Sequence, residues 1–356
     1  MSAIGGLSLS DYGSLGVLVA NTESVQTKLN TLTNQASTGD VSTTYAGLGS
    51  GATISLELNA SVAHLQTWQN NISAATGNMD VTQTAMTQIQ SIASSLLSSL
   101  DDLEGADGSE IETVAATAQS DLAQVANLLD STNGTTYVFA GTDSSNPPVP
   151  DPDNITSSGF YTQIASAVAN LSTAGAAATT SATLAIASSN AAGTTPFSAT
   201  IGSAPVIQTE SGETQQVGLL ANSNAYVTST GTLTTGSYMR DLMSALATVG
   251  SLTSSQQDDP NLTGLIQNTT SSLQGAISAM AQDVGVLGNT QSMLTDESTT
   301  LSDTQTAMST QLSSVQDVDM AQTLSNITLV QTQLQASYQL MANASSLSLA
   351  KFLPAS

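Results

Sequence analysis

The chain has 356 residues, of which only 8% are charged, and 27 Asp and Glu stand against three basic residues, for a formal net charge of −24. Phosphate backbones and anionic membrane surfaces are bound through Lys and Arg, so nucleic acid and membrane are excluded as partners. There is no cysteine, which removes disulfides, thiolate metal sites and cysteine nucleophiles.

Residues 1–18 lack the basic start and sustained apolar core of a secretory signal, and no apolar run approaches a membrane span. A soluble chain is expected, one that leaves the cell, if it does, by a route that reads no cleaved signal. Leu18, Val25 and Leu32 then recur every seven residues, with Leu15, Leu29 and Ala36 on the adjoining stripe and Thr22 as a polar gap. This spacing predicts a helix from about Ser14 to Ser37. Gly5, Gly6, Gly13 and Gly16 weaken its beginning, at about 1 kcal/mol each relative to Ala, so the first dozen residues are expected to be disordered in an isolated subunit. Gly39, Gly47, Gly49 and Gly51 mark an irregular connector.

The strongest pattern in the chain follows. Leu58, Leu65, Ile72, Met79, Met86, Ala93 and Leu100 lie seven apart, shadowed by Trp68, Ala75, Ile89, Leu96 and Leu103, with polar gaps at Ser61 and Thr82. Two interleaved series of this kind keep one narrow stripe of a long helix against a partner, the seam of a coiled coil. The helix is expected to start near Leu56 and to stop at the acidic, Gly-bearing run Asp101 to Gly108. A further helix has Ser109 as its expected N-cap, Glu110 and Glu112 in its first turn, where carboxylates suit the helix dipole, and Gly134 closing it. Its seam is Ile111, Ala118 and Val125 beside Ala115, Leu122 and Leu129.

Between Thr135 and about Thr235 the texture turns to Thr, Ser, Ala and Gly with scattered prolines, and no heptad survives. Thr136–Ala140, Phe197–Ile201, Ala204–Thr209 and Ala225–Ser229 read as strands, and Ile164–Leu171 as a short helix. Helix is expected again over Tyr238–Val249 and from about Leu262. Leu287, Leu294, Leu301, Met308 and Val315 are spaced by seven, and after a five-residue step so are Met320, Ile327, Leu334 and Met341. One long C-terminal helix with a phase break at that step is the economical reading.

The expected fold is mainly α, a long antiparallel coiled-coil bundle built from both chain ends around a small β-containing middle domain. Its divisions are an N-terminal axial helix (1–45), the first part of a helical rod (46–135), a projecting β-rich middle domain (136–235), the returning part of the rod (236–310) and a C-terminal axial helix (311–356). The large apolar seam residues of these helices are the candidate functional residues, as assembly contacts. Few charges flank them, which suits packing against several neighbours.

Catalytic chemistry has little to stand on. His64, the one histidine, lies four residues before Trp68 with no nominated orienting partner, and reads as a packing residue. Asp101, Asp102, Glu104, Asp107, Glu110 and Glu112 could chelate calcium, but the ligand spacing of an EF-hand is absent and an acidic connector explains them. Asp317 and Asp319 read as solvated residues at the register break. No catalytic residue, cofactor site or metal site is expected. Protonating the carboxylates would leave a nearly uncharged chain, so assemblies are expected to tolerate acid.

Both ends of the chain resemble the flagellin family. The C-terminal stretch Leu312-Ser-Ser-Val-Gln-Asp-Val-Asp-Met-Ala, then Gln331-Thr-Gln-Leu-Gln-Ala-Ser-Tyr-Gln, then Leu347-Ser-Leu with Phe352-Leu353, is similar to the family's terminal helix. Leu32-Thr-Asn-Gln-Ala-Ser-Thr-Gly is similar to the turn that leads into its connector. Tyr137-Val-Phe-Ala-Gly-Thr-Asp with Pro147-Pro148, and Gln216-Val-Gly-Leu-Leu-Ala-Asn, resemble the branch that joins hook to filament, hook-associated protein 3. Gln35, where the family commonly has Arg, and the absence of an Asn-rich opening depart further from the filament subunit than from that branch. The resemblance implies a structural subunit of the bacterial flagellum, exported unfolded through the type III apparatus with an export chaperone. Its implied partners are copies of itself, hook-associated protein 1 and flagellin. It implies no enzyme activity. A filament flagellin is the alternative, and a secreted adhesin on a helical stalk a more distant one.

Overall fold

A computed structural model describes residues 9–209, 212 and 214–350, with side chains described over residues 16–343 outside the masked loop positions. The Gly5–Gly6 part of the expected disordered start, the Leu15 and Leu347-Ser-Leu side chains, Lys351 and Phe352-Leu353 lie outside the described residues. In chain order the elements are α1 (Leu9–Thr38), α2 (Gly51–Asp102), α3 (Gly108–Leu129), β1 (Thr132–Asn133), β2 (Thr136–Tyr137), α4 (Gly159–Ala169), α5 (Leu171–Ala174) and α6 (Ala176–Ser188). There follow β3 (Val206–Gln208), β4 (Thr214–Gln216), α7 (Tyr238–Gly250), α8 (Leu262–Gln316) and α9 (Met320–Ala350). Among the described residues there are two sheets, each a single antiparallel pair, with Thr132 opposite Tyr137 in one and Ile207 opposite Gln215 in the other. Mainly α with a small β content is therefore the observed fold class, and the seam helix α2 is continuous.

Several expectations are corrected. The cap of α3 is Asp107, whose carboxylate accepts the Ser109 and Glu110 N–H groups while Glu110 accepts the Asp107 N–H. An ionised acceptor at this position satisfies two orphan donors and meets the positive end of the helix dipole, which a Ser two residues later does not. α3 ends at Leu129, and Gly134 instead turns the β1–β2 hairpin with φ +62°. The middle is not β-rich: α4, α5 and α6 occupy it, and Phe197–Ile201 and Ala225–Ser229 form no strand. The run Ala176-Ala-Ala carries strong helix propensity without any heptad to announce it. The C-terminal repeat is two helices, because Asp317–Asp319 leave the helix between α8 and α9.

The chain divides into two compact units: a terminal unit of Met1–Gln66 with Asp303–Ser356, and a central unit of Thr67–Ser302. In the terminal unit α1 packs on α9. α2 runs antiparallel to α8, with Gln316 Nε2 donating to Ser55 Oγ at 2.5 Å and Gln305 Nε2 to Gln66 Oε1 at 2.8 Å. The polar gap in the first heptad series is Thr22, which is buried yet satisfied, since its hydroxyl donates to the Leu18 carbonyl at 2.8 Å.

In the central unit every residue of α7 is buried, with α3, α4 and α6 packed around it. Gly250 at its end is pinned by two donors, Gln119 Nε2 and the Tyr161 hydroxyl, each 2.6 Å from its carbonyl. The α2–α8 contact in this unit is apolar inside, with Ile72, Met79, Met86, Leu287, Leu294 and Leu301 at 2% exposure or less. Amide side chains edge it: Gln83 Nε2 donates to Gln291 Oε1 at 2.6 Å and Gln291 Nε2 to Asp80 Oδ1 at 2.5 Å. Thr82, one of the two gaps in the α2 series, is also buried and donates to the Asn78 carbonyl at 2.9 Å.

Candidate assembly surface

None of the seventeen candidate assembly residues is exposed, but their coverage differs between the units. In the central unit Ile72, Met79, Met86, Leu100, Leu287, Leu294 and Leu301 are all buried. In the terminal unit only Leu32 and Leu65 are buried, while Leu18, Val25, Leu58, Met308, Val315, Ile327, Leu334 and Met341 remain half-buried. A pair of helices covers one stripe of each partner and leaves both flanks to solvent, so these seams are incompletely covered by their own chain.

Those flanks are apolar. Among the described residues thirteen large apolar side chains are exposed, and ten of them belong to the terminal unit, against Val206, Val286 and Met293 of the central one. On α9 the most buried positions are Thr323 and Val330. At 100° per residue, Met320, Leu324 and Tyr338 fall on one side of that stripe and Leu329 and Leu340 on the other. No Asp, Glu, Lys or Arg occurs anywhere in α9. Burying a neighbour against either flank therefore desolvates no charge, and each fully covered Leu contributes about 1.5–3 kcal/mol.

The charged groups stand elsewhere, and burial perturbs several of them. Arg240 on α7 is 6% exposed, and its hydrogen-bond partners among the described residues are neutral oxygens. Its Nε donates to the Asn222 carbonyl at 2.8 Å, Nη1 to the Ala187 and Ser189 carbonyls at 2.8 and 3.2 Å, and Nη2 to Asn190 Oδ1 at 2.6 Å. Its guanidinium lies 5.1 Å over the Phe197 ring. Burial lowers its pKa from the ordinary value. Asp241 beside it is pushed up by burial, which its bonds from Thr234 and Thr235 oppose. Asp130 is raised to about 6 by burial, against the Val149 N–H that it accepts.

Asp283 is buried on α8 and accepts the N–H groups of Ala225, Tyr226 and Val227 at 3.0, 3.1 and 2.8 Å. Burial and that carboxylate together push the Tyr226 phenol up to about 12. This clasp explains why Ala225–Ser229 is no strand: its donors go to a side chain in place of a ladder.

The two segments that resemble the hook-to-filament branch meet. Ala221 N–H donates to the Phe139 carbonyl at 3.1 Å, and residues 202–203, outside both segments, also bond the first: Gly202 N–H donates to Ala140 at 3.1 Å and Thr142 N–H to Ser203 at 3.0 Å. Phe139 and Leu219 are fully buried there. Gly141 is required by this crossing, since its φ is +67° and a Cβ would come within 2.6 Å of the Ser203 carbonyl oxygen.

His64 is exposed on α2, and the acidic run 101–112 serves the α2–α3 connection. Within it Glu104 accepts from Gln267 at 3.4 Å and Gly108 N–H donates to Gln257 Oε1 at 2.9 Å. Among the described residues no group of three or more His, Cys, Asp or Glu is placed to hold a metal ion. No helix among them is long and apolar enough to cross a membrane.

Comparison with known proteins bears on this arrangement. Residues 14–144 match the bacterial flagellin N-terminal helical region and residues 270–353 the bacterial flagellin C-terminal helical region, together more than half of the chain. No curated protein matches. Among solved structures the fold is similar to that of a proposed flagellar hook-associated protein from Vibrio parahaemolyticus, with a TM-score of 0.51 and 10% identity over 75% of this chain and 97% of that one.

Proposed function

Because the chain belongs to the flagellin family, whose members are structural subunits and not enzymes, we propose that this flagellar protein is the hook–filament junction subunit and assembles through α1 and α9. The observation that carries the assembly role is the terminal unit's uncharged α9, with its seam half-covered and apolar side chains on both flanks. Neighbouring copies and other axial proteins would complete that cover. Leu18, Val25, Leu32, Ile327, Leu334 and Met341 form the contact within each pair, and Leu324, Leu329, Tyr338 and Leu340 the contacts between pairs. Ordering chain ends on assembly costs about 1–2 kcal/mol per residue in backbone entropy, which these apolar faces offset.

The junction role is favoured over that of filament subunit by the crossing of Phe139 and Ala221, which joins the two segments that resemble the junction branch. The similar fold of a proposed hook-associated protein supports the same choice. Export would proceed unfolded through the type III apparatus, with a chaperone holding the terminal segments, and the assembled protein would be extracellular.

A deletion strain tests this. Cells lacking the chain are expected to keep hooks and to release flagellin monomers into the medium. Loss of filament with the junction intact would instead identify the filament subunit. Removing residues 1–40 is expected to abolish incorporation, whereas an adhesin would keep its binding.

A further inference from the structure

Two interruptions of helix meet inside the terminal unit. α1 ends at Thr38 and α8 at Gln316, and the residues after each run antiparallel. Val41 N–H donates to the Gln316 carbonyl at 2.6 Å, Val318 N–H donates to the Gly39 carbonyl at 2.8 Å, and Asp40 is paired with Asp317 between them. Bonds that flank a pair without passing through it mark the narrow site of an antiparallel ladder, where Cα atoms sit about 4.5 Å apart and side chains are closest. Two carboxylates directly opposite each other at such a site repel.

Among the described residues little stands nearby to neutralise them. Asp319, two residues on, adds a third carboxylate, which accepts the Gln322 N–H at 3.0 Å and caps α9. Asp40 also lines a hollow of about 250 Å³ whose other titratable group is the Tyr45 phenol. Among the described residues of this unit the basic side chains are Lys28 and His64. Lys28 lies ten residues before the end of α1 and His64 thirteen beyond the start of α2, roughly 15 and 20 Å along their helices. Neutral bonds hold the rest of the junction: Gln35 Nε2 donates to the Val41 carbonyl at 2.8 Å, and the Ser313 hydroxyl donates to Asp317.

We propose that this clasp is a charge-weakened hinge. Repulsion between Asp40 and Asp317 favours opening of the Gly39–Val41 and Gln316–Val318 bridge, so that the α1–α9 pair pivots where it joins the ends of α2 and α8 within the unit. Screening or removing either charge tightens it. The hinge is a property of the single chain and does not depend on which flagellar role the chain has.

Amide hydrogen exchange at Val41 and Val318, the two donors of the clasp, tests this in the full chain. Asp40→Asn and Asp317→Asn are each expected to slow both amides about two- to fivefold at low salt, with the double variant slowing them no further, since one charge suffices to end the repulsion. Raising the ionic strength should slow the wild-type amides and leave those of the variants unchanged. Asp40→Lys, which sets a cation opposite Asp317, should slow them more than Asp40→Asn. Unchanged or faster exchange in both Asn variants, additive effects in the double variant, or equal slowing at a remote amide such as Ile92 would overturn the hinge.

Discussion

Met79 and Leu334 hold the same kind of position, an apolar heptad site on a long helix with few charges, yet Met79 is fully buried in the central unit and Leu334 only half-covered in the terminal one. The neighbourhood makes the difference. In the central unit α7 sits among α3, α4 and α6 and the α2–α8 seam is closed along its length, so that a single chain completes its own core. In the terminal unit α1 packs on α9 and large apolar side chains remain on both sides of the contact. Identical patterning thus gives a finished interior in one place and an unfinished one in the other. An unfinished interior is what a subunit needs if copies of itself are to supply the remainder.

The sharpest way to break this contrast is at Arg240, whose guanidinium links α7 to the end of α6 and to the loops at Asn190 and Asn222. Arg240→Met is expected to destabilise the central unit by about 3 kcal/mol or more, because several buried carbonyls lose a charged donor together, and thermal unfolding followed by circular dichroism would show it. Next in size is a matched pair. Met79→Ala should cost about 2–5 kcal/mol of chain stability, whereas Leu334→Ala should cost the free chain about 1 kcal/mol and reduce incorporation into the flagellum much more. Equal losses of stability at the two sites would erase the distinction between the units.

Asp130 sharpens the comparison through pH. Its folded value, raised by burial to about 6 from 3.8, means that between those values the folded chain keeps a proton that the unfolded chain has released. Stability contributed by this group is therefore complete below the window and is lost as the pH rises through it. Asp130→Asn should raise the melting temperature at pH 7 by about 2 °C and change nothing at pH 3. The smallest effect on the free chain is expected from Leu340→Ser, within about 0.5 kcal/mol, while its assembly should weaken. Unimpaired assembly of that variant would remove the α9 flank from the proposal.

Much of the helical part was legible, because a heptad states both that a segment is helical and which stripe is covered. The continuous α2, the pairing of both chain ends and the burial of Ile72, Met86 and Leu294 all follow from that one period. Even the polar gaps proved consistent, since Thr22 and Thr82 bond their own backbone and can be buried in the stripe. Local patterns were weaker guides. Asp107 and Ser109 are both good capping residues, and only the reciprocal bond from Glu110 decides between them. α6 is not legible in the sequence because a Thr- and Ala-rich helix has no apolar stripe, and Ala225–Ser229 reads as a strand because nothing local announces that Asp283 takes its donors.

The sequence by itself determined the class of fold, the helical rods and the absence of thiol chemistry, since these depend on composition and on periodicities that neighbours within a few turns enforce. Only the tertiary structure decided which seams a single chain closes, that Arg240 is buried against neutral carbonyls, and that Asp40 stands opposite Asp317. Each of those joins residues from about 20 to more than 270 positions apart in the chain, and such meetings are set by the packing of whole elements, which no local pattern records.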